Sequence, residues 1–372
     1  MIQDAEKVLF VTRKFPPNVG GMEKAAYELH RSLADILPVK LISYGGPNKY
    51  LPVVYPWLFV RALIAVWLWR PTIIYLQDGV MAPMGYVLHY LTRKPLVMSV
   101  HGLEVTFENS FYKALMQRVM PTINRIVIGS EQTKAAVLKR FPNAKLAKVT
   151  YGVRDDFYVT GATDELRRQL ADKLELDSAE LVGKKLLVTT GRLVNRKGVA
   201  WFVESVMPGL VAANPDVRYL VAGKGPNEDR IRNLIEAQGL TGKVYLLGYI
   251  SDEVRNLLYN SADYFLLPNI PVPNDMEGFG LVAIEAASCG TPVIASGIEG
   301  ITDAVVEGKT GRLLPAGDAA AYQKVLLQEL TQPSLYRESV RDYVLANYSW
   351  PRTAAGYKAV FEEVLIAAAK QK

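Results

Sequence analysis

The chain of 372 residues is short of redox and metal-ligating side chains: it has one Cys, Cys289, and three His, at His30, His89 and His101. A lone thiol excludes a disulfide scaffold, a zinc ribbon and a Cys-ligated cluster, and three scattered imidazoles leave little for a His-rich metal site. The reducing cytoplasm is the compartment this composition implies. The first residues, MIQDAEKVLFVTRKFPP, lack the order of a signal peptide, because acids precede a very short apolar run and cations and prolines follow it; they read as the start of a strand. Low-complexity tracts and short repeats are missing too. The most hydrophobic window, Val53 to Trp69, has 17 residues and is interrupted by Pro56 and Arg61. That is marginal for crossing a bilayer, so the expectation is a buried or membrane-touching helix, with a span as the alternative.

A dinucleotide fingerprint is also absent. The turn AGKGPNEDRI has Gly223 and Gly225, but position 228 is Glu, and no other loop supplies the pattern, which removes a nicotinamide-dependent dehydrogenase.

What is present is the balance of a folded enzyme, with 50% hydrophobic and 22% charged residues, in a chain long enough for two domains. Charge is unevenly placed. Residues 1–154 carry 20 Lys and Arg against 9 Asp and Glu, or +11, and since the whole chain is +6 the remainder is −5. A basic first half suggests an anionic surface or substrate opposite it, although ordinary solvation also explains such a surface. Nucleic acid is set aside, because no stripe interleaves aromatic residues with Lys and Arg.

Short β-branched runs alternate with helical patterns, the signature of parallel sheets with crossover helices. Six runs in each half (Lys7–Thr12, Val39–Ser43, Thr72–Leu76, Leu96–Val100, Arg125–Ile128 and Leu146–Thr150, then Lys185–Thr190, Arg218–Ala222, Val244–Leu247, Tyr264–Leu267, Pro292–Ala295 and Gly311–Leu314) predict an α/β chain of two Rossmann-like, doubly wound parallel sheets. The strand rhythm lapses between Gly152 and Gly183, where a hinge is expected. The domains are read as 1–165 plus a returning helix at 350–372, and 166–349. Ligands of such sheets bind at strand C-termini, so the expected site is a cleft faced by both.

Four segments carry chemistry. RKFPPNVGG (Arg13–Gly21) follows a strand and leads into a helix, where Gly20 and Gly21 let backbone N–H groups approach a phosphate; a tight turn alone would also explain the glycines. TTGRLVNRKG adds Arg192 and Lys197, which can converge on one anion, or simply lie in solvent. In NDMEGFGLVAIEAASCGTPVIAS, Glu277 and Glu285 flank a loop-to-helix junction containing Gly278, Phe279, Gly280 and Leu281. Two carboxylates so placed can accept hydrogen bonds from sugar hydroxyls, and a hydrolytic carboxylate pair is the competing chemistry. His101, in SVHGLE, sits at a strand end, where a single His taken alone is more often structural than functional. Cys289 reads as a small buried hydrophobe.

Taken together, the Gly-Gly loop, GRLVNRKG, AGKGP, YNSADYFLLPN, EGFGLVAIEAASCGTPVIAS and EGKTGRLL resemble, in that order, the retaining family-4 glycosyltransferases of GT-B fold. The likeness covers most of residues 8–360 and is densest from Gly191 to Leu314. It implies transfer of a hexose from a nucleotide diphosphate sugar to an acceptor held by the first domain, either a glycan, a lipid-linked or a sugar-phosphate molecule. By that resemblance Arg192 and Lys197 bind the donor diphosphate and the backbone at Gly20 and Gly21 closes over it. Glu277 holds hydroxyls of the transferred sugar, Glu285 the ribose, and His101 lies beside the anomeric region. Gly223, Gly225 and residues 247–250 lie near the nucleobase, and Gly278 to Leu281 belong to the donor site. No cofactor and no metal are expected, since the chain contains no Asp-x-Asp triplet. Where many members read Pro-Ser, this chain has Pro268-Asn269 and a longer IPVPND loop. The basic half and the segment Tyr50–Arg70 suit a cytoplasmic protein resting on the anionic inner face of a membrane. A non-catalytic nucleotide-sugar binding protein is the reading from another class.

Overall fold

The computed structural model describes residues 6–18, 20–102 and 109–370. The chain forms two compact units, Met1–Gly152 with Tyr348–Lys372, and Val153–Asn347. In the first unit six parallel strands, β1 (Val8–Thr12), β2 (Val39–Ser43), β3 (Ile73–Leu76), β4 (Leu96–Val100), β5 (Arg125–Ile128) and β6 (Leu146–Lys148), lie in the order β2-β1-β3-β4-β5-β6. The second unit holds β7 (Lys185–Thr190), β8 (Val217–Ala222), β9 (Val244–Gly248), β10 (Tyr264–Leu267), β11 (Val293–Ser296) and β12 (Gly311–Leu314), ordered β12-β11-β10-β7-β8-β9 and also parallel. The two doubly wound sheets of the expected fold are both present.

Central strands such as VLFVT in β1 and IIYL in β3 are buried at every position, as parallel strands covered by helices on both faces must be. Helix Trp350–Ala369 returns to the first unit. Tyr357 and Phe361 pack their rings on Tyr75, and the Tyr357 hydroxyl lies 2.8 Å from that of Ser99.

The change of unit falls at 152/153, not at the expected 165/166. Helix Thr163–Lys173 therefore belongs wholly to the second unit, for a reason its charge pattern hid. Arg167 is buried and donates to the carbonyls of Ser261 (3.1 Å) and Lys184 (2.8 Å) and to the carboxylate of Asp263 (2.8 Å).

In each sheet the strand order reverses once, between β1 and β3 and between β7 and β10. Loops leaving the C-terminal ends of such a pair diverge to opposite faces and leave a crevice, which places a ligand site in an open parallel sheet. Arg167→Ala strands a carboxylate and two carbonyls, so it should destabilise the second unit by about 3 kcal/mol. Hydrogen exchange in urea checks this: protection should fall in β7 and β10 and hold in β1 to β5.

Candidate active site

At the β7/β10 crevice the loops after the two strands are knitted together. The N–H of Ile270 donates to the carbonyl of Arg196 at 3.0 Å, and the Arg196 guanidinium reaches Asp275 at 3.2 Å. The IPVPND segment is thus held down by the turn Asn195–Lys197. Lys197, only 8% exposed, places its ammonium 2.6 Å from Glu277, whose carboxylate also lies 3.6 Å from Arg196 Nε and accepts from Asn269 Nδ2 at 3.4 Å. A nearly buried ammonium has to be paired, and the sequence could not show with what.

Burial pushes the Glu277 carboxyl up, but the charge and hydrogen bond of Lys197, the charge of Arg196 and the bond from Asn269 outweigh it and hold the group below the ordinary carboxylate range. The main chain of Glu277 is clamped as well: its N–H donates to the carboxylate of Glu299 and its carbonyl accepts from Gly300 at 3.1 Å. Burial, reinforced by the charge of Glu277, raises the Glu299 carboxyl. Glu299 takes a left-handed φ of 54° and Asn274 one of 61°, unusual for side-chain-bearing residues, so strained backbone brackets Glu277 on both sides.

Past Glu277 the chain passes Gly278 and the buried Phe279 into helix Leu281–Ser288. Gly280 ends the loop at φ 89°, a conformation that glycine adopts without steric cost, and no side chain caps the helix that follows. The start of this helix carries the positive end of the helix dipole, the end that favours an anion. Glu285 stands one turn in, accepting a 3.0 Å hydrogen bond from Tyr259, whose hydroxyl in turn lies 2.7 Å from that of Thr190. Burial, with the charge of Glu285, keeps the Tyr259 hydroxyl protonated far above its ordinary range. Cys289 ends this helix buried, its thiol pushed up by burial to about 12.

Arg192 is exposed on the same loop as Lys197, whose ammonium is paired with Glu277. Gly223 has a packing reason of its own. A Cβ there would strike the carbonyl oxygen of Gly191, and Gly191 N–H donates to Ala222 while Gly223 N–H donates to Gly248 (2.7 Å); the glycine lets three loops approach. A Cβ at Gly225 would strike the carbonyl of Leu193 in the same layer. Residues 223–226 and 247–250 are thereby neighbours.

In the first unit, Arg13 after β1 and Asp78 after β3 pair at 3.2 Å across the other crevice. Gly20 and the exposed Gly21 open helix Gly21–Ala34, but the carboxylate of Glu23 lies where a Cβ of Gly20 would be, so a side chain of the first turn already faces that helix end. His101 follows β4 with both ring nitrogens engaged: Nε2 donates to the Gln77 carbonyl at 2.7 Å and Nδ1 meets the Tyr151 hydroxyl. Residues 103–108, which include the rest of SVHGLE, lie outside the described residues, as does Val19 in the first loop. Among the described residues, no group of three or more His, Cys, Asp or Glu is placed to hold a metal ion. Sequence reasoning missed Arg196, Asp275, Glu299 and Tyr259. Only Arg196 carried a signal, as a third cation within GRLVNRKG.

Residues 184–332 match the family model for glycosyl transferases group 1. The phosphatidyl-myo-inositol mannosyltransferase of Mycobacterium leprae is 32% identical over 177 residues, 47% of this chain but only 45% of that protein. The D-inositol 3-phosphate glycosyltransferase of Corynebacterium efficiens is 27% identical across 76% of this chain and 69% of its own length. The HepE protein of Anabaena, solved in complex with UDP, superposes with a TM-score of 0.76 at 18% identity, covering 96% of this chain and all of that one. That likeness shows a GT-B fold.

Removing Lys197 leaves Glu277 charged, buried and under-compensated. Lys197→Ala should cost about 3 kcal/mol of stability at neutral pH, part of which Lys197→Ala/Glu277→Gln recovers. Because the folded carboxyl titrates below its unfolded value, the pair's contribution is complete above the unfolded pKa and is lost as pH falls through the folded one. Urea unfolding as a function of pH should show the penalty of Lys197→Ala shrinking on the acid side only.

Proposed function

Starting from a chain whose residues 184–332 form a glycosyl transferases group 1 domain on a GT-B fold, we propose a retaining hexosyltransferase that uses a nucleotide diphosphate sugar. The observation that carries the reading is the uncapped start of helix Leu281–Ser288 beside the Lys197–Glu277 pair. A diphosphate seated on those N–H groups has its charge met by the helix end and by Arg192 and Lys197, in a position where added negative charge on the leaving group is stabilised further. Glu277, held ionised, accepts hydrogen bonds from hydroxyls of the transferred sugar. The buried Asn269 Oδ1, without a hydrogen-bond partner, is a second acceptor beside it. Glu285, already oriented by Tyr259, suits the vicinal hydroxyls of a ribose.

In the reaction the bond from the anomeric carbon to the donor phosphate oxygen breaks and a bond to the acceptor oxygen forms on the same face. The acceptor proton passes to the departing phosphate oxygen, so nucleoside diphosphate and glycoside leave and no protein base is needed. The residues proposed to stabilise the leaving group are Arg192, Lys197 and the helix terminus, without a metal. His101, with its Nε2–H donated to the Gln77 carbonyl, serves as a positioning group. The acceptor is a phosphate-bearing or glycan molecule bound by the basic first unit, lipid-linked or soluble. The relatives named above act on phosphatidyl-myo-inositol and D-inositol 3-phosphate.

The test is nucleoside diphosphate release from a panel of UDP-, GDP-, ADP- and dTDP-sugars, with and without inositol phosphate and phosphatidylinositol acceptors. One base should support turnover that persists in chelator and yields the donor's anomeric configuration by proton NMR. Glu277→Gln should lower turnover by roughly a hundredfold, the worth of charge-assisted hydrogen bonds to the sugar. An inverted product, or turnover indifferent to Glu277, contradicts the reading.

A further inference from the structure

Helix Leu51–Trp69 is apolar on two sides. Leu58, Ala62, Ala65 and Val66 enter the core of the first unit. On the other side Val53, Trp57, Val60, Ile64 and Trp67 are 51–78% exposed, and their alternating spacing of four and three makes one stripe along the helix. A surface helix of a soluble protein turns polar residues to that side. The next helix, Ala82–Thr92, is tied to this one through Tyr55, whose hydroxyl donates to the Val80 carbonyl and accepts from the Met84 N–H, and it exposes Val87, Tyr90 and Leu91 in turn.

The charges around these helices have one sign. Between Gly45 and Pro95 stand Lys49, Arg61, Arg70, Arg93 and Lys94 against a single acid, Asp78, which is buried and paired with Arg13. Three of these cations lie over aromatic rings of the same segment: Arg61 at 4.4 Å from Trp57, Lys49 at 5.0 Å from Tyr50 and Arg93 at 5.5 Å from Tyr90. Aliphatic residues beside Trp and Tyr, with cationic heads at the margin, match the graded polarity between acyl chains and lipid phosphates.

We propose that this stripe docks the protein flat on an anionic bilayer, with Val53, Trp57, Val60, Ile64 and Trp67 in the headgroup-to-acyl boundary and the surrounding cations at phosphate level. The helix lies in the interface and does not span it, because crossing would draw the fully buried Leu58 and Ala62 out of the core. A second copy of the chain is the poorer occupant, since a two-fold contact would set these cations against their own symmetry mates, whereas the bilayer offers the opposite sign. The proposal is independent of the donor and stands or falls separately from the transferase reading.

Sedimentation of the full chain with phosphatidylcholine vesicles, with and without phosphatidylglycerol, tests it. Binding should require the anionic lipid and weaken with salt, and Val60→Asp/Ile64→Asp should reduce it by roughly tenfold or more while the melting temperature holds, since both positions are exposed. Equal binding by this variant overturns the proposal, as does failure of the native chain to sediment at low salt. A native dimer that the variant dissociates would assign the stripe to a second copy instead. Loss of nucleoside diphosphate release with vesicle binding intact would strike only the transferase reading.

Discussion

A buried carboxylate that must be neutralised organises the second unit. Glu277 sits where two loops leave adjacent strands in opposite directions, and keeping it ionised there requires Lys197 at 2.6 Å and Arg196 at 3.6 Å from the first of those loops. Arg196 then holds Asp275, Ile270 follows by its backbone bond to Arg196, and the entry to helix Leu281–Ser288 is fixed as a result. The left-handed residues Asn274 and Glu299 are the conformational cost of bringing this chain to that point. The cluster is paired and hydrogen-bonded within the protein itself, and in the proposed reaction charges fixed in this way stabilise a leaving group without reorganising.

The fold could be read from the sequence almost strand by strand, because parallel strands buried on both faces are continuous β-branched runs. Val39–Ser43, Leu96–Val100 and Lys185–Thr190 are where those runs placed them. The change of unit was harder. Helix Thr163–Lys173 looks like a solvated linker by composition, and only the three-dimensional position of Ser261, Lys184 and Asp263 shows Arg167 buried among them.

The site was legible in its parts and not in its pairings. Glycines, cations and glutamates mark loop-to-helix junctions locally, so the segments containing Arg192, Lys197, Glu277 and Glu285 stood out. That Lys197 meets Glu277, or that Arg196 meets Asp275 at a separation of 79 positions, depends on the crossing of β7 and β10 loops, which no local pattern encodes. Gly223 stood out locally as a loop glycine, and its reason lies in the packing of loops distant in sequence: a Cβ there would strike the carbonyl of Gly191. In the first unit the apolar run Val53–Trp69 gave hydrophobicity without direction, and the helix divides it into a face that builds the core and a face that does not.

We propose that the Lys197–Glu277 pair and the uncapped helix beside it form a diphosphate and sugar site. Isothermal calorimetry of the full chain with UDP, GDP, ADP and dTDP tests it most directly, repeated with Arg192→Ala and Glu277→Gln. One nucleoside diphosphate should bind; Arg192→Ala should weaken it by roughly ten- to a hundredfold, and Glu277→Gln, at a position proposed to face the sugar and not the diphosphate, should leave it nearly unchanged. Nucleotide affinity indifferent to Arg192 but abolished with Glu277 would contradict this division of labour.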